Sequence, residues 1–225
     1  MNRNNLIDTI RSFAFILMLY YHLYSLNPKI KYPYPKTIMN IGEISRTTFI
    51  LLVGVSIEMF KKEENNLFKK YKKSLLILLC AGLISLTSYY VVPNDKFIFF
   101  GVLHFIGLIT LLFKSGLKTI YIIPLIMFSL YMKNYMYSLK ATDNYSQVIF
   151  GGYVKTLNPL DTFQIFNWLH IVLIGMLIGK ALKKMNIDIE TNEYLDKFNY
   201  IGKHSLELYT IHIIIFMIYF YKFNN

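Results

Sequence analysis

Long apolar runs alternate with short polar stretches along most of this chain. Several runs approach the roughly 20 residues that an α-helix needs to cross the hydrocarbon core of a bilayer. The pattern predicts seven transmembrane helices, at 6–25, 44–60, 73–92, 96–113, 119–133, 163–182 and 205–221. The fold class that follows is an all-α polytopic membrane helix bundle, formed by a single domain over residues 1–225.

The first and fifth of these spans have unusual features. The span at 119–133 is the shortest and contains Pro124, so we expect a kinked or incomplete helix there. The span at 6–25 lies where a signal peptide would, but it carries Asp8, Arg11 and His22, and no small-residue cleavage pattern follows it. We therefore predict a retained helix.

The charged residues give the predicted bundle a direction. The loop Lys61–Lys73 carries six lysines against Glu63 and Glu64, which indicates the cytoplasmic side. Alternation of the spans then predicts a cytoplasmic N-terminus, with 15 of the 24 Lys and Arg residues inside and nine outside. The net charge of +11 does not favour a nucleic-acid partner, because the basic residues flank apolar segments as membrane orientation requires. We expect a multi-pass protein of the cell membrane.

Two connections between the predicted spans are long. The outer one, at about 134–162, is rich in Tyr, Asn and Gly, and it either caps an outward-facing site or is merely exposed. The inner one, at 185–203, mixes acidic residues with lysines, and we predict a solvated connector.

Three ionisable residues of the first span carry the main functional prediction. Asp8, Arg11 and His22 share one helix face, because Arg11 and His22 differ by about 20° and Asp8 lies within about 60° of both. Such groups cost about 2.5–3.5 kcal/mol each in a span, which suggests a function. Arg11 and His22 would lie ~16 Å apart along the axis, a spacing that could join a phosphate-bearing cofactor from the cytoplasm to a reaction centre further out.

The chemistry of these side chains fits such roles. A guanidinium binds phosphate well because its charge is permanent and its donors form a fork. An imidazole suits general base catalysis because it titrates near neutral pH. The alternative is structural: Asp8 and Arg11 would only pair near the helix end, and His22 would be a buried imidazole bonded to a neighbour.

Other spans also contain polar residues. Each histidine alone is more often a packed polar residue than a catalyst, although several in one small bundle favour a site. No HxxH or HxxxH pair occurs, so we predict no metal site. The residues concerned are Glu43 and Arg46 at the start of the second span, His104 in the fourth, Trp168 and His170 in the sixth, His204 at the inner edge of the last span and His212 near its middle.

Several of these segments resemble known transmembrane acyltransferases. The stretch from Asp8 to His22 has the spacing of Arg, ten residues and His that is found in acyltransferase family three. The rest is more similar to the heparan-alpha-glucosaminide N-acetyltransferase catalytic domain family. The similar segments, in collinear order, are FILLVGVS at 49–56, FFGVLHFIG at 99–107, WLHIVLIGMLIG at 168–179 and GKHSLELYTIH at 202–212.

The resemblance implies transfer of an acyl group, usually acetyl, from cytoplasmic acyl-CoA to a glycan or amino-sugar acceptor on the outer side. Acetyl-CoA would be the donor substrate, and exposed apolar faces of the bundle could support a homodimer. The site residues that we assign on this basis are His22 and Asp8 as catalytic, Arg11, His104 and His212 as donor-binding, and Arg46, Trp168 and His170 as acceptor-binding.

The chain departs from the family pattern in two places. In parts of the family the position of His22 holds Asn and a catalytic His lies in the outer loop, yet the loop Ser25–Gly42 contains no His. The segment DTFQIFNW at 161–168 resembles a D-x-F-P-x-x-P-W stretch, with Gln164 and Asn167 where prolines are usual.

Two other functional classes stay open on the sequence. One is a small transporter or permease that uses the histidines as a proton relay, although no inverted repeat is visible. The other is a non-catalytic membrane assembly protein. Neither the acceptor nor the acyl length can be read from the residues.

Overall fold

The computed structural model describes residues 4–27, 35–61, 65–93, 96–139, 146–152, 160–185 and 192–223. Every regular element in these ranges is a helix, which confirms the predicted all-α class. The helices are α1 (Asn5–Ser25), α2 (Pro35–Met59), α3 (Leu67–Val91), α4 (Val102–Leu112), α5 (Thr119–Ser138), α6 (Ser146–Phe150), α7 (Ile165–Met185), α8 (Glu193–Lys203) and α9 (Ser205–Ile218), which continues into a π-helical turn (Tyr219–Phe223).

Five of these helices are long and apolar enough to cross a membrane: α1, α2, α3, α7, and α9 together with its π-helical turn. The helix α4 is apolar but has only 11 residues, and α5 has 20 residues. The protein is therefore a multi-pass membrane protein. The count of seven spans and the cytoplasmic N-terminus stay predictions, and Glu63 and Glu64, used for that orientation, lie outside the described residues.

Asparagine side chains cap the N-termini of three helices. The Asn4 side chain accepts a hydrogen bond from the Ile7 N–H at 3.2 Å at the start of α1. Asn66 caps α3 and Asn192 caps α8 in the same way. An N-cap of this kind satisfies an amide that has no partner within its own helix. These caps therefore determine where α1, α3 and α8 begin.

The fourth predicted span, 96–113, is helical only from Val102 to Leu112. The backbone before α4 bonds instead to distant partners: Leu160 N–H to Lys96 O at 3.0 Å and Phe163 N–H to Phe100 O at 2.8 Å. Non-helical backbone is tolerated at membrane depth where other protein groups satisfy it. The prediction of a helix from residue 96 is therefore wrong, and this segment pairs with the chain that leads into α7.

The fifth predicted span, 119–133, extends further than expected. The helix α5 continues through Pro124 to Ser138, so an incomplete helix is a wrong prediction. It packs on α7, where the Ser129 hydroxyl donates to the Phe166 carbonyl at 3.2 Å. The predicted outer connection at 134–162 contains the end of α5 and the short helix α6, and its residues 140–145 and 153–159 lie outside the described part of the chain.

The inner connection at 185–203 is not the predicted solvated connector in its second half, because α8 forms there and packs on α1. The Ser12 hydroxyl on α1 donates to the Phe198 carbonyl at 2.8 Å and accepts from the Gly202 N–H at 2.7 Å. The Thr9 hydroxyl donates to the Asn199 side chain at 2.7 Å. Residues 186–191 of this connection lie outside the described residues.

The helices form a ring with two further helices behind it. Neighbouring contacts run from α1 to α2, α2 to α4, α4 to α3, α3 to α9, and α9 back to α1. Behind α2 lies α7, and behind α7 lies α5. The five helices of the ring enclose the space in which the polar residues of α1 meet those of α2 and α9.

The contact between α2 and α7 is made at glycines. A Cβ atom on Gly54 would meet the backbone of Val172 and Met176, and one on Gly175 would meet the Leu51 carbonyl. Small residues let two membrane helices approach until their backbones touch, which favours van der Waals packing where no hydrophobic effect drives association. The α2–α7 pair is therefore a tightly packed wall behind the ring.

Candidate active site

A cavity of about 860 Å³ lies inside the ring of five helices. Residues from both ends of the bundle line it, so it is one continuous space and not two separate pockets. We call the part lined by Arg11, Lys73, Lys114 and Lys203 the basic end, and the part lined by His22, Arg46, Asp161 and Tyr209 the histidine end.

Arg11 is held in place at the basic end. Its guanidinium donates to the Asp8 carboxylate at 2.9 Å and to the Ser56 hydroxyl on α2 at 3.0 Å. Asp8 is only 2% exposed, so the carboxylate of this pair is buried, while Arg11 stays partly accessible. The predicted structural pairing of Asp8 and Arg11 is therefore present, and both residues also line the cavity.

The turn that carries Lys114 is tied to α2 and α7. The Glu58 carboxylate accepts from the Leu117 N–H at 3.0 Å, and Lys180 lies 3.5 Å from the same carboxylate. The Lys180 ammonium also donates to the Leu117 carbonyl at 2.6 Å. Gly116 completes this turn with a φ of 69°, a conformation that glycine adopts without strain. These contacts hold Lys114 at the basic end.

Apolar side chains line the cavity between its two ends. They come from four of the ring helices: Phe49 and Val53 from α2, Ile77 from α3, Leu103 and Ile106 from α4, and Ile213 from α9. A segment of this kind suits the uncharged part of a ligand whose polar groups lie at the two ends.

Two histidines contact each other at the histidine end. The His22 Nδ1 and His212 Nε2 atoms are 2.9 Å apart, and the rings lie nearly parallel, with centroids 5.2 Å apart and an interplanar angle of 24°. His22 lines the cavity, while His212 lies behind it and is 8% exposed. His22 is therefore the hydrogen-bonded imidazole that was expected, and it also lines the cavity.

Arg46 lies beside the histidines among aromatic rings. Its guanidinium carbon is 5.8 Å from the Tyr21 ring centroid, 5.9 Å from that of Phe163 and 5.8 Å from that of Trp168. The Arg46 Nη2 atom is also 3.4 Å from the Glu43 Oε2 atom, so the two side chains form an ion pair. Rings at this distance attract a cation through their negative faces, so they orient Arg46.

Asp161 brings a buried carboxyl to the same end. It lies before α7, and its Oδ2 accepts from the Val102 N–H at 3.3 Å, at the start of α4. Burial raises the pKa of the Asp161 carboxyl, while the nearby Arg46 charge acts in the opposite direction. The start of α4 and the approach to α7 are thereby joined at the mouth of the cavity.

The structure brings four of the eight site residues assigned from the sequence into one cavity: Asp8, Arg11, His22 and Arg46. His212 joins them through its bond to His22. Trp168 lies one layer further out, stacked on the Phe163 ring with centroids 4.9 Å apart.

His104 and His170 are not among the described residues that line this cavity. The His104 Nδ1 accepts from the Gly101 N–H at 3.3 Å and so caps α4, and its Nε2 lies 3.5 Å from the Ser85 hydroxyl. His170 lies on α7, and its Nδ1 is buried. The prediction that His104 binds the donor and His170 the acceptor therefore gains no support from their positions.

Sequence reasoning missed several residues of the cavity. Lys73, Lys114 and Lys203 were interpreted only as signals of membrane orientation, although all three line the basic end. Asp161 was noted only for its position in a family-like segment, and Tyr209 was not predicted as a site residue. Within the described ranges, no three His, Cys, Asp or Glu side chains form a group that could hold a metal ion.

The comparison with protein families agrees with this architecture. Residues 3–214 match the family model described as heparan-alpha-glucosaminide N-acetyltransferase, catalytic. Searches of curated proteins and of solved structures returned no match. The match spans almost the whole chain and includes both ends of the cavity. The chain therefore belongs to the heparan-alpha-glucosaminide N-acetyltransferase catalytic domain family, whose name describes an acetyltransferase.

Proposed function

We propose that this protein transfers an acyl group, acetyl in the first instance, from acyl-CoA at the basic end to a sugar or amino-sugar acceptor at the histidine end. His22 is the general base. The observation that carries the proposal is the continuous cavity, which joins a cluster of cations at one end to the His22 imidazole at the other. The family supplies the class of reaction.

The basic end suits the phosphate groups of CoA. Arg11, Lys73, Lys114 and Lys203 line it together, and charge-assisted hydrogen bonds to phosphate are stronger than those between neutral groups. The Asp8 carboxylate orients Arg11 from a position ~21 Å along α1 from His22. Asp8 accordingly acts on donor binding and does not touch the reacting atoms.

The apolar segment suits the pantetheine arm of the donor. Arg11 and His22 lie ~16 Å apart along the axis of α1. This distance separates the phosphate groups at Arg11 from the thioester at His22. The cavity volume of about 860 Å³ lies within the roughly 300–1,000 Å³ that is usual for small-molecule sites. In this arrangement the diphosphate stays at the basic end while the acyl carbon reaches His22.

The reaction requires one general base, which takes a proton from the acceptor and later gives it to the leaving thiolate. The His22 imidazole removes the proton from the acceptor O–H or N–H as that atom bonds to the thioester carbonyl carbon. The carbon–sulfur bond then breaks, and the CoA thiolate leaves and takes the proton back from His22. The Arg46 guanidinium, beside the imidazole, is suited to stabilise the negative charge that develops on the carbonyl oxygen.

The histidine end also suits a sugar acceptor. Tyr21 and Phe163 line the cavity there and offer ring faces to the apolar face of a sugar, and Trp168 supports Phe163 from behind. His170 is not part of this proposal. We place the protein in the cell membrane with its basic end toward the cytoplasm, as the lysine distribution predicts. The acceptor then approaches the histidine end from the outside. The homodimer stays a prediction without a described interface.

Purified protein in lipid nanodiscs tests this function. We expect saturable binding of [14C]acetyl-CoA, release of CoA, and label transfer to glucosamine offered as a probe acceptor. An absence of saturable acetyl-CoA binding would contradict the proposal. A transporter would instead exchange substrate across proteoliposomes that contain no acyl donor, and a non-catalytic assembly protein would bind no acetyl-CoA.

Removing one charge from the basic end should weaken donor binding. We expect Lys114→Met to raise the KM for acetyl-CoA roughly tenfold and to leave kcat nearly unchanged, since a hydrogen bond to a charged group contributes about 1.5 kcal/mol. The matched control is Lys183→Met, which removes an exposed lysine from the last turn of α7, outside the cavity lining. Steady-state kinetics at fixed salt measure both variants. If Lys114→Met and Lys183→Met had equal KM values for acetyl-CoA, Lys114 would not be part of the phosphate site.

A further inference from the structure

His212 lies in a chain of hydrogen bonds that ends on a backbone carbonyl. Its Nδ1 is 2.9 Å from the Leu208 carbonyl oxygen, one turn earlier in α9. Its Nε2 is 2.9 Å from the Nδ1 of His22, 190 residues away in sequence. The chain therefore runs from Leu208 through His212 to His22 and stops at the cavity.

The carbonyl determines where the protons lie along this chain. A carbonyl oxygen only accepts, so the His212 Nδ1 must carry a proton. Burial disfavours a charged imidazolium at His212, so its Nε2 is unprotonated and accepts. The His22 Nδ1 is then the donor, and the lone pair of neutral His22 is left on Nε2. This is the nitrogen that a general base needs.

Aromatic side chains fix the ring of His212. Phe15, Tyr209 and Phe216 lie edge-on to it, with centroid distances of 5.5, 5.3 and 5.7 Å and interplanar angles of 90°, 84° and 87°. Edge-to-face contacts of this kind are favourable and hold a ring plane in one orientation. His212 can therefore present its Nε2 to His22 with little loss of freedom when substrate binds.

We infer that His212 is a positioning residue, which holds His22 in the tautomer whose Nε2 is free to act as the base. The inference rests on the proposed function and deepens it. His212 was predicted from the sequence to bind the donor, and here it acts through His22 without touching either substrate. When His22 has taken the acceptor proton on Nε2, its Nδ1–H still donates to His212, which stabilises the imidazolium that forms.

Two substitutions at position 212 separate positioning from packing. In His212→Gln the side-chain oxygen can occupy the place of Nε2 and accept from the His22 Nδ1–H. In His212→Leu no acceptor is present. We expect kcat to fall about 10- to 100-fold in the Leu variant, the effect of one hydrogen bond to a charged group, and to fall less than about threefold in the Gln variant. The KM for acetyl-CoA should stay unchanged in both.

The tautomer can be measured without any activity. Protein labelled with 15N-histidine gives two-bond 15N–1H correlations that distinguish a protonated Nδ1 from a protonated Nε2. The His22→Ala variant assigns the signals of His22 by their loss. We expect wild-type His22 to carry its proton on Nδ1 at neutral pH, and the His212→Leu variant to shift toward the Nε2–H form.

The outcomes separate this inference from the proposed function. Wild-type transfer with loss in His212→Leu and recovery in His212→Gln supports the inference, and wild-type transfer with an equally active Leu variant overturns it. If the wild type transfers no acetyl group, the proposed function fails. The 15N–1H correlations of His22 then test the inferred tautomer by themselves. A proton on Nδ1 of His22 then supports the inferred tautomer, and a proton on Nε2 overturns it.

Discussion

The His22→Ala variant is expected to transfer acetyl about 10²- to 10⁴-fold more slowly than the wild type, since this is the usual contribution of a positioned general base. The imidazole lines the histidine end of the cavity, while the cations that we assign to the donor lie at the other end. Binding of acetyl-CoA should therefore be retained. Single-turnover transfer of a [14C]acetyl group and equilibrium binding measure the two effects separately.

The control for this variant is Leu23→Ala, on the same turn of α1. Leu23 is 43% exposed on the outer face of the bundle, so its loss should affect neither rate nor donor binding. A His22→Ala variant that transfers acetyl as fast as Leu23→Ala would show that His22 is not the base. A variant that also loses acetyl-CoA binding would place the imidazole in the donor site.

The Gly175→Ala variant is expected to lose about 1–3 kcal/mol of stability, the usual cost of extra atoms in a tightly packed contact. Its Cβ would overlap the Leu51 carbonyl and lie 3.2 Å from the Cα of Gly54. Neither neighbour is the end of a flexible side chain, so α2 and α7 must move apart. Thermal unfolding in nanodiscs, followed by exposure of Cys80 to a thiol-reactive dye, would report the lower midpoint.

Gly82→Ala provides the matched control for this loss. Gly82 lies within α3, and apart from its chain neighbours and the backbone of its own helix, no heavy atom of the described residues lies within 4 Å of a Cβ added there. Alanine is a better helix former than glycine by about 1 kcal/mol, so this variant should be at least as stable as the wild type. A Gly175→Ala variant that unfolds at the same temperature as Gly82→Ala would contradict the close packing of α2 and α7.

The sequence predicts the helices better than the connections between them. A helix satisfies its backbone groups within one segment, so an apolar run is enough to indicate it. The segment before α4 satisfies its backbone groups at Leu160 and Phe163, more than sixty residues away, and no local pattern reveals such a partner. The helix α8 was missed because its polar face resembles a solvated loop, while Asn199 and Gly202 dock on α1.

The candidate site is predictable where one helix contains it. Asp8, Arg11 and His22 could be grouped from helix periodicity alone, and all three line the cavity. The contact between His22 and His212 joins residues 190 positions apart, so only the packing of α1 on α9 brings it about. Lys114 could not be distinguished from an orientation signal, because a lysine at a membrane surface serves both purposes.

The cavity that joins the two ends of the bundle has a consequence for membrane energetics. Water that filled a space lined from Lys203 to Ser25 would also offer protons and metal ions a route, and their flow would dissipate any gradient across the bilayer. The apolar segment opposes this, because an ion that enters it loses hydration without gaining a counter-charge. We therefore expect Phe49, Val53 and Ile77 to act as an insulating layer, and we expect a charged residue placed among them to let ions leak through the bundle.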